Sequence, residues 1–272
     1  MRNRLLWIVP LVLVLAAGAW YLLAGAGDKR PPVYAVEVVA ATPHDAQAYT
    51  EGLFYQDGAL FESTGEVGTS GVRKVKPETG EVLATEELPS PYYGEGVVAW
   101  KDRLYQLTWK DQKGFIYGLH DFSPAGTFDY TGEGWGLTHD DSSIIMSDGT
   151  ATLRFLDPET LAVKSTLNVT ASGCPVSNLN ELEYVDGQIY ANIWMTDLIA
   201  RIDPRTGKIL SFLDVTALGP DNPGRDDVAN GIAYDGARKR LFVTGKRWPK
   251  LYEVRQGAKT PSEAANLLSG CS

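Results

Sequence analysis

A chain of 272 residues with a formal net charge of -9 has the wrong sign for a polyanion partner, because nucleic-acid binding neutralises phosphates with Lys and Arg. Its length suits one large all-β domain as well as two average ones. The 28 Gly, 15 Pro, 13 Tyr and 7 Trp against 3 Met are the balance of short strands joined by tight turns.

The opening segment stands apart. Arg2 and Arg4 precede an uncharged, mostly apolar run from Leu5 to Gly27, long enough for a hydrocarbon core that needs roughly 20 residues. It reads as a membrane-targeting helix: either a signal peptide cut near Ala24-Gly25-Ala26, or an uncleaved anchor with its arginines cytoplasmic. Both readings place the body in the periplasm or elsewhere outside the cytoplasm, with membrane contact only through this segment. No cysteine follows the run to accept a lipid. The expected organisation is 1–30 for targeting, 31–258 for one β domain, and 259–272 for a tail. Cys174 and Cys271 are the only cysteines, and an oxidising compartment would let them pair. The simpler expectation is two unpaired thiols, since Cys271 sits one residue from the C-terminus.

Next comes Val36-Glu-Val-Val39, which alternates like a strand, and then an internal repeat. Five segments share a register: Glu51-Gly-Leu-Phe-Tyr, Glu95-Gly-Val-Val-Ala, Trp135-Gly-Leu-Thr-His, Asn180-Glu-Leu-Glu-Tyr and Asn230-Gly-Ile-Ala-Tyr. Their third residues, Leu53, Val97, Leu137, Leu182 and Ile232, lie 44, 40, 45 and 50 positions apart by subtraction, the length of a propeller blade. Within a copy, Asp57-Gly58 or Asp186-Gly187 marks a hairpin, and Lys76-Pro-Glu-Thr-Gly80 or Asp203-Pro-Arg-Thr-Gly207 a later turn. Each copy therefore predicts four antiparallel strands, and the whole an all-β five-bladed β-propeller. The last copy runs short after Leu251-Tyr-Glu-Val254, so Val36–Val39 is expected to supply its outer strand. A row of unrelated hairpins or a β-sandwich is the alternative.

In a propeller the first strand of each blade lines the central channel, so equivalent positions meet there. Glu51, Glu95, Trp135, Asn180 and Asn230 would converge, and two close carboxylates raise the pKa of one of them, which suits proton transfer near neutral pH. The alternative is that these side chains cap turns and hold channel water. Trp109 and Trp194 each follow a copy's first position by fourteen residues and, with Trp135, could grip the aliphatic part of a small ligand. Tyr49 and Tyr93 each lie two residues before a glutamate, and Lys246 is the basic residue of the fifth copy. Taken singly, a tryptophan is more often core and a lysine a solvated rim residue.

The words Tyr49-Thr-Glu-Gly-Leu53, Tyr93-Gly-Glu-Gly-Val97, Gly134-Trp-Gly-Leu137, Asn180-Glu-Leu-Glu-Tyr184 and Thr244-Gly-Lys-Arg-Trp-Pro249 resemble the glutaminyl cyclases of plants and bacteria, over about residues 36 to 254. The resemblance implies a five-bladed fold and an enzyme that cyclises N-terminal glutamine of peptides or proteins to pyroglutamate, with no metal or cofactor. It implies Glu95 as acid/base, with Asn180 and Lys246 as its polar partners. Tyr93, Trp109, Trp135 and Trp194 become the pocket, with Tyr49, Glu51 and Asn230 also facing substrate. Plant members tend to carry glutamine at the place of Glu51. A monomer is expected. The competing readings are a metal-dependent propeller hydrolase or lactonase holding Ca²⁺ between carboxylates and asparagines, and a non-catalytic propeller that binds proteins. His44, His120 and His139 sit in dissimilar contexts and read as surface residues, with no zinc site or catalytic triad among them.

Overall fold

A computed structural model of the chain describes residues 30–260. The targeting helix expected before residue 30 lies outside the described residues. Among those described, no helix is long and apolar enough to cross a membrane. The chain divides into Met1–Arg30 and Pro31–Ser272, and the architecture below is that of the second unit.

The fold is all-β, and among the described residues its only helical element is a 3₁₀ turn at Thr216–Leu218. β1 (Val33–Pro43) is followed by three sheets of four antiparallel strands. The first is β2 (Thr50–Gln56), β3 (Ala59–Thr64), β4 (Gly71–Val75) and β5 (Val82–Glu87). The second is β6 (Gly94–Trp100), β7 (Arg103–Thr108), β8 (Lys113–Gly118) and β9 (Pro124–Asp129). The third is β10 (Leu137–His139), β11 (Ile144–Met146), β12 (Thr152–Leu156) and β13 (Val163–Asn168). After a two-residue ribbon of β14 (Thr170–Ala171) and β15 (Cys174–Pro175) come β16 (Leu179–Val185), β17 (Gln188–Ile193), β18 (Leu198–Ile202) and β19 (Ile209–Asp214). The last three strands are β20 (Ala229–Asp235), β21 (Arg240–Gly245) and β22 (Lys250–Thr260).

The shortness of the last copy is resolved by β1. It lies antiparallel to β22, with Val36 opposite Gln256 and Val38 opposite Val254. At its start β1 also runs parallel to β19, with Val33 opposite Phe212, which joins the last two sets into one eight-stranded sheet, β16-β17-β18-β19-β1-β22-β21-β20. The strand pair is longer than the sequence pattern implies: β22 continues to Thr260 through residues read as the polar end of the chain.

The hairpins follow their turn chemistry. Asp57 and Gly58 have φ of 50° and 84°, and Asp186 and Gly187 have 46° and 82°. Paired positive φ values are those of the turn whose twist matches two antiparallel strands. The core is divided into clusters between successive strand sets. Phe54 and Phe61 pack on Val97 and Leu104, Val98 and Tyr105 on Leu137 and Ile144, and Ile145 and Leu153 on Leu179 and Ile189. Ile199 and Leu213 pack on Ile232 and Val243, and Phe242 and Leu251 return to Leu53 and Leu60. Each large apolar side chain so buried contributes about 1.5–3 kcal/mol. The opening strands follow the same order, β2 against β6, β6 against β10, β10 against β16, β16 against β20, and β20 against β2.

Two sequence expectations are corrected. Cys174 is in a disulfide, so the reading of unpaired thiols fails there; spacing along a chain says nothing of the distance between two Cα atoms. His120 and His139 are exposed, but the His44 side chain is only 4% exposed, with Nε2 3.0 Å from Glu62 Oε1 and Nδ1 2.6 Å from the Trp248 carbonyl. A ring facing two acceptors must donate at both nitrogens and is therefore an imidazolium. Burial pulls its pKa down, but Glu62 outweighs burial and the net shift is upward. Burial would raise Glu62 in turn, yet His44 and Arg73 hold it at about 2.

Candidate active site

The residue pattern of the repeat is explained by how closely the opening strands approach. Four of them break register with their hairpin partners at the residues of interest: between Thr50 and Gly52, Gly94 and Val97, Leu179 and Leu182, and Ala229 and Ile232. Such bulges re-aim side chains that strict alternation would send elsewhere. A Cβ on Gly52 would sit 2.6 Å from Val97 N, and one on Gly96 2.6 Å from Leu137 N, so the contact between neighbouring strands requires glycine there. In the fourth copy that position is Glu181. Its carboxylate accepts the N–H groups of Leu53 at 3.2 Å and Ile232 at 2.9 Å, tying β2 and β20 to β16.

At one end of these strands lies a cavity of about 230 Å³. Glu51, Glu95, Asn180 and Lys246 form its polar lining, Tyr49, Tyr93, Trp109, Trp135 and Trp194 its aromatic lining, and Asp226 completes it. The structure thus brings together all but one of the residues singled out from the sequence. The exception is Asn230, which is fully buried behind Glu51 and donates from Nδ2 to Thr50 O and to Glu51 Oε2, each at 3.0 Å. Lys246 is not a solvated rim residue: it is buried.

The indoles and phenols are held in fixed relation. Trp135 and Trp194 meet edge to face, centroids 5.7 Å apart at 86°, and Tyr93 tilts over Trp109 at 5.7 Å. One carboxylate oxygen, Glu133 Oε2, accepts both indole N–H groups, from Trp109 at 2.9 Å and from Trp135 at 3.0 Å. Lys110 Nζ lies 3.7 Å from the centroid of the Trp109 ring, on the face a cation prefers. Tyr49 is flanked by Lys246 Nζ and the Arg247 guanidinium, each 4.6 Å from its ring.

The polar half is organised around Glu51. Its Oε1 accepts Lys246 Nζ at 2.7 Å and the Tyr93 hydroxyl at 2.9 Å, while Oε2 takes Asn230. Burial lifts the Glu51 carboxyl above the ordinary range against the pull of these three donors. Lys246 is moved down by burial and up by Glu51 and Glu95, with a net rise that keeps its ammonium charged. Glu95 is different. Burial first, then repulsion from Glu51, push its carboxyl well above the usual carboxylate range, and Lys246 offsets only part of this. Among the described residues the Glu95 carboxyl accepts no hydrogen bond, and it lines the cavity. Asn180 Oδ1, also buried, has no partner among the described residues either.

The sequence matches the glutamine cyclotransferase family profile over residues 11–256. This chain belongs to the glutamine cyclotransferase family. It is 40% identical over 269 residues to the glutaminyl-peptide cyclotransferase of Arabidopsis thaliana, an alignment spanning 93% of this chain and 84% of that protein. The crystal structure of Myxococcus xanthus glutaminyl cyclase superposes with a TM-score of 0.78 at 35% identity, covering 85% of this chain and all of that one. Within this member of the family, two residues of the site escaped the sequence reading. Glu133 lies two positions before Trp135, a spacing that on extended backbone shares a face. Asp226 sits in an irregular loop, where no periodic signal exists.

Proposed function

We propose that this cyclotransferase closes N-terminal glutamine of peptides to pyroglutamate at the cavity described above, with Glu95 as the proton-transfer group. The observation that carries the reading is the Glu95 carboxyl: buried, without a hydrogen-bond partner among the described residues, raised by Glu51, and walled by three indoles. In the reaction the α-amine nitrogen bonds to the side-chain amide carbon, and the bond from that carbon to the amide nitrogen breaks to release ammonia. The ionised Glu95 takes the proton the amine gives up on attack and passes it to the departing nitrogen. A carboxyl lifted above the usual range by burial and by Glu51 accepts and returns a proton more readily than an ordinary carboxylate. The Lys246 ammonium and the Asn180 side chain stabilise the negative oxygen of the tetrahedral intermediate. Because nucleophile and electrophile share one residue, much of the catalysis is holding a folded glutamine, and the indole walls of a small cavity favour that conformer. A Ca²⁺-dependent hydrolase has less support, since the Lys246 ammonium sits 2.7 Å from Glu51 in the same lining, where it would repel a cation.

The same reading takes the four-stranded sets as five blades of a propeller, supported by the cyclic order of the clusters and opening strands. It also places the protein outside the cytoplasm as a monomer, delivered or anchored by residues 1–30. The apolar run Leu5–Gly27 and the disulfide at Cys174 support an extracytoplasmic setting. Incubating the full chain with a Gln-initiated peptide is expected to release one ammonia per peptide and leave a product lighter by that mass. An intact peptide after complete incubation would remove cyclisation as the activity.

Glu133 gives a separate prediction. Glu133→Ala frees both the Trp109 and Trp135 indoles at once, and since Glu133 is partly exposed the loss is moderate. KM for a Gln-peptide is expected to rise about tenfold, near 1.4 kcal/mol, with a smaller change in kcat. Steady-state kinetics check it, and an unaltered KM would show that packing alone holds the rings.

A further inference from the structure

The cavity holds one charge that the chemistry above leaves unused. Asp226 lies in the loop between the 3₁₀ turn Thr216–Leu218 and β20, and it is half-buried where Glu51, Glu95, Asn180 and Lys246 are buried. It therefore occupies the solvent side of the lining. The loop is fastened: Asp227 accepts Arg247 Nε at 2.8 Å and Gly224 N at 2.7 Å, its carbonyl accepts Trp248 Nε1 at 2.9 Å, and Val228 O accepts Lys246 N at 3.0 Å. Asp226 is thus held beside the segment that carries Lys246, close enough for its charge to act on the Tyr49 hydroxyl.

The two buried or half-buried cations beside the cavity are already engaged, while Arg225, next to Asp226 in the chain, is exposed. Lys246 is paired with Glu51 at 2.7 Å, and Arg247 with Asp227 and Glu66 at 2.8 and 3.0 Å. Among the described residues Asp226 makes no ion pair, so it is a carboxylate at the cavity mouth with its charge unanswered. The substrate's α-amine is the wrong partner for it. That amine must be neutral to attack, and an adjacent unpaired carboxylate would hold it as ammonium. A group that stays cationic throughout the reaction fits better. The cavity volume of about 230 Å³ is below the roughly 300–1,000 Å³ of sites for drug-sized ligands, so it takes one residue and leaves the next at the mouth.

We propose that Asp226 selects peptides in which the residue after the N-terminal glutamine is lysine or arginine. This rests on the reading that the cavity takes that glutamine. The experiment compares kcat/KM for Gln-Arg-, Gln-Ala- and Gln-Glu-initiated peptides of otherwise equal sequence at low salt, using the full chain. Gln-Arg is expected to exceed Gln-Glu about tenfold, with the preference falling as salt rises. In Asp226→Asn the ratio should drop to within about threefold, and in Asp226→Lys it should invert in favour of Gln-Glu. Asp221→Asn removes the same charge from the same loop five residues away and should keep the preference. The proposal is overturned if Asp226→Asn retains the parent ratio, or if Asp221→Asn lowers it equally, which would assign the effect to the general field of an acidic protein. Turnover of Gln-Ala with no charge preference would overturn the selectivity alone, whereas turnover of none of the three peptides defeats the cyclisation reading and the proposal with it.

Discussion

Replacing Glu95 with glutamine is expected to lower kcat/KM for a Gln-initiated peptide by about 10²–10⁴-fold, the span general acid–base catalysis supplies, without loss of the fold. Glutamine keeps the shape of the side chain and removes only the proton exchange. The effect on stability has a definite sign. A carboxyl whose folded pKa is raised binds its proton more tightly in the native state, so its contribution is intact below the ordinary value of 4.5 and is lost as pH rises toward the folded value. The parent therefore loses stability over that interval and Glu95→Gln does not, so the variant should be at least as thermostable at pH 7 and gain on the parent as pH rises. Rates run the other way: the parent needs Glu95 ionised, so kcat/KM climbs with pH through the raised pKa, and in the variant what activity remains should lose that limb. Retained turnover at the parent level would remove Glu95 from its role. A collapse of the melting temperature would show instead that the carboxyl is structural.

How far the sequence could be read depended on whether a feature repeats. The hairpins were legible because Asp57-Gly58 and Asp186-Gly187 tolerate the paired positive φ values that their tight turns need. The convergence of Glu51, Glu95, Trp135 and Asn180 was legible because equivalent positions of a repeat fall in equivalent places. The same logic brought Asn230 to the cluster, but one step behind the cavity, where it donates to Glu51 Oε2. What the repeat could not carry was pairing between copies. Nothing in the surroundings of His44 announces that it meets Glu62 and the Trp248 carbonyl, 204 positions away. Nor does one copy show why Glu181 replaces the glycine of the others, because its two N–H donors belong to β2 and β20. The resemblance pointed to Lys246, but its burial was not legible for the same reason: the carboxylate it pairs with lies 195 positions distant.

That distant pair yields the second large effect. Lys246→Met leaves the Glu51 carboxylate buried with only two neutral donors, Tyr93 and Asn230, and removes the charge that offsets repulsion at Glu95. Breaking a buried ion pair from one side costs about 3–5 kcal/mol, less what Glu51 recovers by taking up a proton. Loss of the oxyanion partner should reduce kcat a further 10²–10³-fold or so. Glu51→Gln should behave quite differently. The amide oxygen can still accept Lys246 and Tyr93, at the cost of about one hydrogen bond to Asn230, near 1 kcal/mol. With the like charge gone and Lys246 no longer neutralised, the Glu95 carboxyl becomes easier to ionise, so the rising limb of kcat/KM should move to lower pH. Measuring pH profiles and thermal melts for the two variants separates the roles. Equal damage from both would mean the pair acts only as a unit of packing, whereas a stable Glu51→Gln with a downshifted limb beside a crippled Lys246→Met assigns Glu51 to tuning and Lys246 to charge stabilisation.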